Sequence, residues 1–109
     1  MLDKEKNFLS QLEKIILDNL DQEKLDVLKV ADSIGMSRSS LFRKLKAITG
    51  LNTNQYIRKV KMDKAVELLK TGNYTIAQVS YEVGFNNVKY FRKLFKEQFD
   101  NLPSEFTKR

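Results

Sequence analysis

Two groups of basic side chains recur in this chain at the spacing of an α-helix. One group lies near the middle of the sequence, and the other lies close to its end, at Lys89, Arg92, Lys93 and Lys96. Residues three and four apart share one face of a helix, and a row of cations attracts a phosphate backbone. The ordinary alternative is that each lysine is simply solvated at the protein surface and binds no phosphate. The helices that would position these groups therefore decide what the groups can do.

The later group belongs to the segment Gly84–Phe99, GFNNVKYFRKLFKEQF, which predicts one helix with two different faces. Asn86 and Asn87 are candidate N-caps, and Gly84 can adopt the positive φ that a sharp turn between helices needs. The apolar face would carry Val88, Phe91, Phe95 and Phe99. Such a helix could bury one side and offer four cations on the other.

A similar helix is predicted from about residue 38 to residue 49, capped by Ser37 and ended by Gly50. Its core face would carry Leu41, Leu45 and Ile48, and its opposite face Ser39, Phe42, Arg43 and Lys46. An exposed phenylalanine between cations is unusual on a purely solvated surface, so we expect a contact surface here. Packing of Phe42 against a neighbouring lobe is an equally open alternative.

The rest of the chain is also helical in pattern, which predicts an all-α fold of about seven helices. We expect further helices at residues 3–20, 25–34, 53–70 and 76–83, and a short last helix at 103–106. Asn52 and Gln55 form a candidate capping box, as do Thr75 and Gln78. The helix at 53–70 would be about 25 Å long. Because its apolar residues cover more than one face, we expect it to connect two lobes.

The sequence also contains an internal repeat. VADSIGMS at Val30–Ser37 aligns without a gap with VSYEVGFN at Val79–Asn86, at an offset of 49 residues. The basic helices that follow align at an offset of 50 residues. Each copy is a short helix, a glycine turn and a longer helix, which is the helix-turn-helix arrangement.

Charge is distributed unevenly along the chain. The net charge is +6 and the pI about 9.6, but residues 1–36 carry −3, residues 37–70 carry +7, residues 71–83 carry −1 and residues 84–109 carry +3. Local basic potential attracts a polyanion. The chain has no cysteine and no histidine, so disulfides and Cys/His metal sites are excluded.

The sequence indicates neither a catalytic constellation nor a cofactor site. Paired carboxylates, a nucleophile with a base and a phosphate-binding loop are all missing from it, so we do not expect an enzyme. The chain also has no run of about 18 apolar residues and no apolar signal core, so we expect a cytoplasmic protein without membrane contact.

The chain resembles the DNA-binding domain of the AraC/XylS family of bacterial transcription regulators over about residues 8–109. The matching segments are VGFNNVKYFRKLFKEQFDNLPSEF at Val83–Phe106, IGMSRSSLFRKLKAITG at Ile34–Gly50 and YIRKVKMDKAVELL at Tyr56–Leu69. Four positions depart from the usual pattern. Asp100 replaces a glycine, Leu102 a small polar cap, Thr53 a common proline, and Ser80 a small alanine.

The resemblance implies one DNA-binding domain over residues 1–109, with helix-turn-helix lobes at about 8–50 and 74–109 and a connector helix at about 53–70. Each lobe would place its second helix in a major groove, on one face of double-stranded DNA. The family regulates transcription, usually as activators that contact RNA polymerase. Longer members carry a sensor or dimerisation region, and this chain is similar to the C-terminal output domains of hybrid two-component regulators. The resemblance favours a fragment of a longer protein, and the alternative is a stand-alone regulator, because the family's size range includes one of this length.

Base-reading side chains are expected on both second helices. They are Ser39, Phe42 and Arg43 in the first lobe and Lys89, Arg92 and Lys93 in the second. Arg43 could bond guanine O6 and N7, and Phe42 could contact a thymine methyl. Phosphate contacts, which fix register without reading sequence, are expected from Arg38, Lys46, Lys61 and Lys96.

Two other functions are compatible with a basic helical protein. A helical protein–protein interaction module would bind its partner with little dependence on salt, whereas DNA binding weakens steeply as salt rises. A membrane-surface protein would need a basic amphipathic helix free to lie flat. The core is expected to use the apolar faces of these helices, which disfavours the membrane alternative.

Overall fold

A computed structural model describes residues 2–20 and 26–107 of the chain. Within these ranges there are six α-helices, one short 3₁₀ helix and no strand, so the predicted all-α class is confirmed. The elements are α1 Asp3–Asp18, α2 Val27–Ile34, α3 Arg38–Thr49, α4 Thr53–Thr71, α5 Ile76–Glu82, α6 Val88–Phe99 and the 3₁₀ helix Pro103–Glu105. Leu25, which was expected to begin the second helix, lies outside the described residues.

Capping side chains define where most helices begin. The Asp26 side chain accepts a hydrogen bond from the Lys29 N–H of α2, and the Ser37 side chain accepts one from the Ser40 N–H of α3. Both predicted capping boxes form. The Asn52 side chain accepts from Gln55 N–H at 2.8 Å while the Gln55 side chain accepts from Asn52 N–H at 2.9 Å, and Thr75 and Gln78 make the same exchange.

The sequence-based helix boundaries are confirmed in part, and several helix ends differ from them by one or two residues. Within the segment Gly84–Phe99 the helix begins at Val88, because Asn87, one of the two candidate N-caps, accepts a hydrogen bond from Tyr90 N–H at 3.0 Å. The first helix ends at Asp18, two residues early. The last element is a 3₁₀ helix that ends at Glu105, since a single turn after Pro103 closes i to i+3 bonds.

The chain divides into two compact units, and α4 contributes residues to both. The first unit contains α1, α2, α3 and the start of α4 as far as Val60. The second unit contains Leu20, α4 from Lys61 onward, α5, α6 and the 3₁₀ helix. The apolar residues of α4 are buried along its whole length, at Tyr56, Ile57 and Val60 in the first unit and at Met62, Ala65 and Leu69 in the second. The predicted connector is thus confirmed.

In the first unit, α1 packs against α2 and α2 packs against α3. The buried residues of these three helices are Phe8, Leu12, Ile16, Val30, Ala31, Leu41 and Leu45. Lys44 of α3 is exposed, and its Nζ is 4.3 Å from the centre of the Phe8 ring. A cation over an aromatic face is attracted by the ring quadrupole, so Lys44 stabilises the packing of α3 against α1.

In the second unit, aromatic rings from α6 and its flanking turns form much of the core. Phe91 and Phe95 are fully buried, and their ring centroids are 5.7 Å apart. The Phe95 ring also contacts Phe99 at 4.7 Å and Phe106 at 5.5 Å. Leu94, which the predicted apolar stripe omitted, is buried in the same cluster with residues of α4 and α5.

The internal repeat corresponds to a repeated backbone geometry. The turn after α2 has Gly35 at φ 73°, and the turn after α5 has Gly84 at φ 89°. In the first turn Met36 N–H donates to Ala31 C=O at 3.0 Å, and in the second Phe85 N–H donates to Ser80 C=O at 2.9 Å. The two helix-turn-helix copies therefore share a turn as well as a sequence pattern.

The second copy departs from the first at the end of its long helix. Helix α3 ends at Gly50 with φ 77°, whereas α6 ends at Asp100 with φ 55°, the only non-glycine residue of the described chain at positive φ. An L-residue other than glycine is strained in this conformation. A carboxylate at a helix C-terminus also opposes the helix dipole.

We expect Asp100→Gly to stabilise the domain by about 0.5–1 kcal/mol. The substitution removes the backbone strain and the unfavourable carboxylate. We expect this gain to exceed the cost of the greater conformational freedom that glycine has in the unfolded chain. Urea unfolding monitored by circular dichroism measures this difference. Asp100→Asn is the matched control, because it removes only the charge and should gain less. A glycine variant no more stable than the asparagine variant would show that the backbone at position 100 is not strained.

Candidate nucleic-acid interface

The exposed face of α3 carries every base-reading residue that was predicted for the first lobe. Ser39, Phe42 and Arg43 are exposed, and so are Arg38 and Lys46. Leu41 and Leu45, on the opposite face, are fully buried and hold the helix against the first core. Phe42 is 45% exposed, which is unusual for a large aromatic side chain.

The exposed face of α6 carries the residues predicted for the second lobe. Lys89, Arg92, Lys93 and Lys96 are all exposed, while Phe91, Leu94 and Phe95 bury the other side. The hydrophobic and basic faces of this helix are thus separated as the sequence predicts. The placement of these cations is compatible with the predicted roles, which remain predictions.

The two exposed faces correspond position by position. Both α3 and α6 contain 12 residues, begin after a side-chain cap and end at a residue in the left-handed region. At the offset of 50 residues, Ser39 corresponds to Lys89, Phe42 to Arg92, Arg43 to Lys93 and Lys46 to Lys96. Each unit therefore presents the same four helix positions to solvent, with different side chains at most of them.

The cations on these faces have no acidic partners among the described residues. Within residues 2–20 and 26–107, neither Arg38 and Arg43 on α3 nor Lys89, Arg92 and Lys93 on α6 form an ion pair with a carboxylate. An exposed, unpaired cation keeps its full charge available for an external anion. The arrangement can therefore attract a polyanion at both helices.

Lys46 and Lys96 make the same bond in both units. Lys46 Nζ donates to Gly50 C=O at 3.0 Å, and Lys96 Nζ donates to Asp100 C=O at 3.1 Å. A cation near the last carbonyls of a helix is favourable because it interacts with the negative end of the helix dipole. Both lysines therefore have a structural contact in addition to the phosphate contact predicted for each.

Lys61 differs from the other predicted phosphate contacts because it is half-buried. Its Nζ is 5.5 Å from the centre of the Phe85 ring, within the second unit. Burial lowers the pKa of the Lys61 ammonium from its ordinary value, since a less polar surrounding disfavours the charged form. This placement favours a packing role, and a phosphate contact by Lys61 remains a prediction.

An open groove of about 400 Å³ adjoins the exposed face of α3. Four of its lining residues are Arg38, Ser39, Phe42 and Arg43 of α3, and three more lie at the start of α4, namely Asn52, Thr53 and Asn54. The sequence pattern predicts only a cap at the start of α4. The capping box itself was the available signal, because it leaves the N–H groups of the first two helical residues without a partner.

Comparison with known proteins identifies the family of this domain. A family model described as a helix-turn-helix domain matches residues 30–109. The chain belongs to the AraC/XylS family. The members of this family are DNA-binding transcription regulators, and this chain carries their helix-turn-helix DNA-binding domain.

Two curated relatives match nearly the whole AraC/XylS domain. Histidine kinase P4 of Formosa agariphila is 38% identical over 105 residues, which are 96% of this chain and 8% of the kinase. The Msm operon regulatory protein of Streptococcus mutans is 34% identical over 103 residues, which are 94% of this chain and 37% of that protein. The chain thus spans well under half the length of both relatives.

A solved structure with the same fold contains DNA. The DNA-binding domain of AdpA, a global transcriptional factor solved in complex with a target DNA, has a TM-score of 0.76 and 26% sequence identity to this chain. The match covers 90% of this chain and 87% of the AdpA domain.

Among the helices described for this chain, none is both long enough and apolar enough to cross a membrane.

Proposed function

We propose that this domain binds double-stranded DNA in a sequence-specific way through the exposed faces of α3 and α6. The observation that carries the proposal is the repeated presentation of unpaired cations on the second helix of both helix-turn-helix copies. An α-helix fits the major groove, which is about 12 Å wide, and residues in its N-terminal half reach base edges. Each second helix would enter a major groove of its own.

The side chains on these faces suit two kinds of contact. We assign base reading to Ser39, Phe42 and Arg43 on α3. We assign the same role to the equivalent residues of α6, which are Lys89, Arg92 and Lys93. A guanidinium can donate two hydrogen bonds to guanine O6 and N7, and an exposed aromatic ring can contact a thymine methyl. Arg38, Lys46 and Lys96 are better suited to phosphates, as their positions flank the base-reading residues.

The relatives support a wider role for the full-length protein. Because the chain matches a small part of a histidine kinase and of an operon regulatory protein, we propose that it is the output domain of a longer bacterial regulator in the cytoplasm. A sensor or dimerisation region in that protein would supply the signal. The family resemblance favours activation of transcription through RNA polymerase over repression.

Selection of bound sites from a random DNA pool tests the proposal directly. A sequence-specific domain enriches one motif over successive rounds, whereas a purely electrostatic binder enriches none. Because the exposed side chains of α3 and α6 differ, a single bound molecule should select a motif without two-fold symmetry. Failure to enrich any motif would contradict sequence-specific binding.

We expect Arg43→Ala to weaken binding to the selected site by about 1–3 kcal/mol and to relax specificity at one base pair. The loss follows because alanine cannot donate to guanine. Fluorescence anisotropy on the selected site and on single-base variants measures both effects.

Two variants control for charge and position. Lys93→Ala changes the equivalent position of α6 and should relax specificity at a different base pair. Lys14→Ala removes one charge on α1, where Lys14 already pairs with Asp18 at 2.8 Å, and should leave base preference unchanged. An equal loss of affinity on random DNA for Arg43→Ala would assign Arg43 to a phosphate.

A further inference from the structure

The groove beside α3 combines features that favour an anion. It brings the first residues of α3 and of α4 to one surface within the first unit. Two guanidinium groups, those of Arg38 and Arg43, line it, and no acidic side chain of the described residues does. Helix N-termini carry unpaired N–H donors and the positive end of the helix dipole. The helix N-termini and the guanidinium groups therefore both add positive potential to the groove.

The start of α4 provides backbone donors without acceptors. Gln55 N–H is bonded to the Asn52 side chain and Tyr56 N–H to Asn52 C=O, so the cap uses the third and fourth donors of the helix. Within the part of the chain that the structure describes, Thr53 N–H and Asn54 N–H, the first and second donors, have no acceptor. Both residues line the groove, where an oxygen atom of a ligand could accept from them.

Thr53 supplies an independent indication. The residue is only 5% exposed, and its Oγ1 atom is buried without a hydrogen-bond partner, the only such side-chain atom among the described residues. A buried hydroxyl without a partner costs about 1–3 kcal/mol of desolvation. Because Thr53 lines this open groove beside two guanidinium groups, a ligand atom in the groove could satisfy its hydroxyl.

We propose that this groove binds a phosphate group of the DNA backbone, with Thr53 N–H and Asn54 N–H donating to its oxygens and Arg38 balancing its charge. The inference rests on the proposed function and adds to it a contact made by α4 rather than by a recognition helix. This contact would hold α3 in register along the groove while Arg43 reads a base. The groove is open to solvent, so a phosphate that remains linked to its neighbouring sugars can enter it.

Thr53→Pro removes the N–H and the hydroxyl while keeping the helix, because proline is favoured at the first position of a helix. We expect about a tenfold loss of affinity, equal on the selected site and on random DNA, since a phosphate contact carries no sequence information. The dependence of affinity on salt should not change, because the variant removes no charge. Thr53→Val, which keeps the N–H, should lose less affinity than Thr53→Pro.

A titration of the unmodified protein with inorganic phosphate, followed by amide NMR, tests the site without DNA. We expect saturable shifts centred on the amides of Thr53 and Asn54. Shifts spread evenly over all basic surfaces, or none at these two amides, would overturn the inference, even if the protein bound no DNA. Normal DNA binding by Thr53→Pro would overturn it while leaving the proposed function intact, and a loss confined to the selected site would also contradict a phosphate contact.

Discussion

Alanine at position 84 should destabilise the second unit by about 3 kcal/mol, because it combines backbone strain with a steric clash. Gly84 has φ 89°, and a Cβ atom built on it would lie 2.6 Å from the carbonyl oxygen of Leu20. That oxygen belongs to the backbone, so the clash cannot be relieved by a side-chain rotation. Thermal and urea unfolding of the domain measure the loss.

Gly35 is a natural control for this substitution, since it occupies the equivalent turn of the first unit. It has φ 73°, but a Cβ atom there would meet nothing within 4 Å. Gly35→Ala should therefore lower the stability only by the backbone strain of alanine at positive φ, about 1 kcal/mol. Equal losses for the two variants would show that the approach of Leu20 to Gly84 is not a constraint in solution.

Raising the salt concentration from about 50 to about 200 mM should weaken DNA binding by about two orders of magnitude, as expected for roughly four neutralised phosphates. These contacts are the ones predicted for Arg38, Lys46, Lys61 and Lys96. Each cation that replaces a condensed counterion contributes to the slope. Anisotropy titrations at several salt concentrations measure it.

This experiment also decides between DNA binding and a helical protein–protein interaction module. A module of that kind would bind its partner with an affinity that changes little with salt, and it would bind DNA weakly at every salt concentration. Lys96→Ala should reduce the slope for DNA by about one, since it removes one phosphate contact. A slope near zero for the unmodified domain would contradict the proposed function.

Local chemistry explains which parts of this fold the sequence predicts well. Helix starts depend on side chains within three residues of the cap, so Ser37 and both capping boxes were identified correctly. The exposed faces of α3 and α6 also follow from helical periodicity alone. The choice between Asn86 and Asn87 could not be made, because either side chain can cap a helix.

Contacts between residues distant in the sequence were not predictable in the same way. The approach of Leu20 to Gly84 and the half-buried position of Lys61 over Phe85 both depend on how elements pack. The groove at Thr53 also depends on packing, because it requires α4 to begin beside α3. The unusual Ser80 is explained only by the structure, where its hydroxyl donates to Phe85 C=O at 3.3 Å.

The repeated turn and helix ends have an evolutionary consequence. Because the residues that shape the backbone of α3 and α6 are separate from the four that face outward, substitutions at Phe42 or Arg92 leave both folds intact. Each copy is then free to diverge in what it recognises. A descendant of this protein could acquire a new preference at one end of its target while inheriting the other end unchanged.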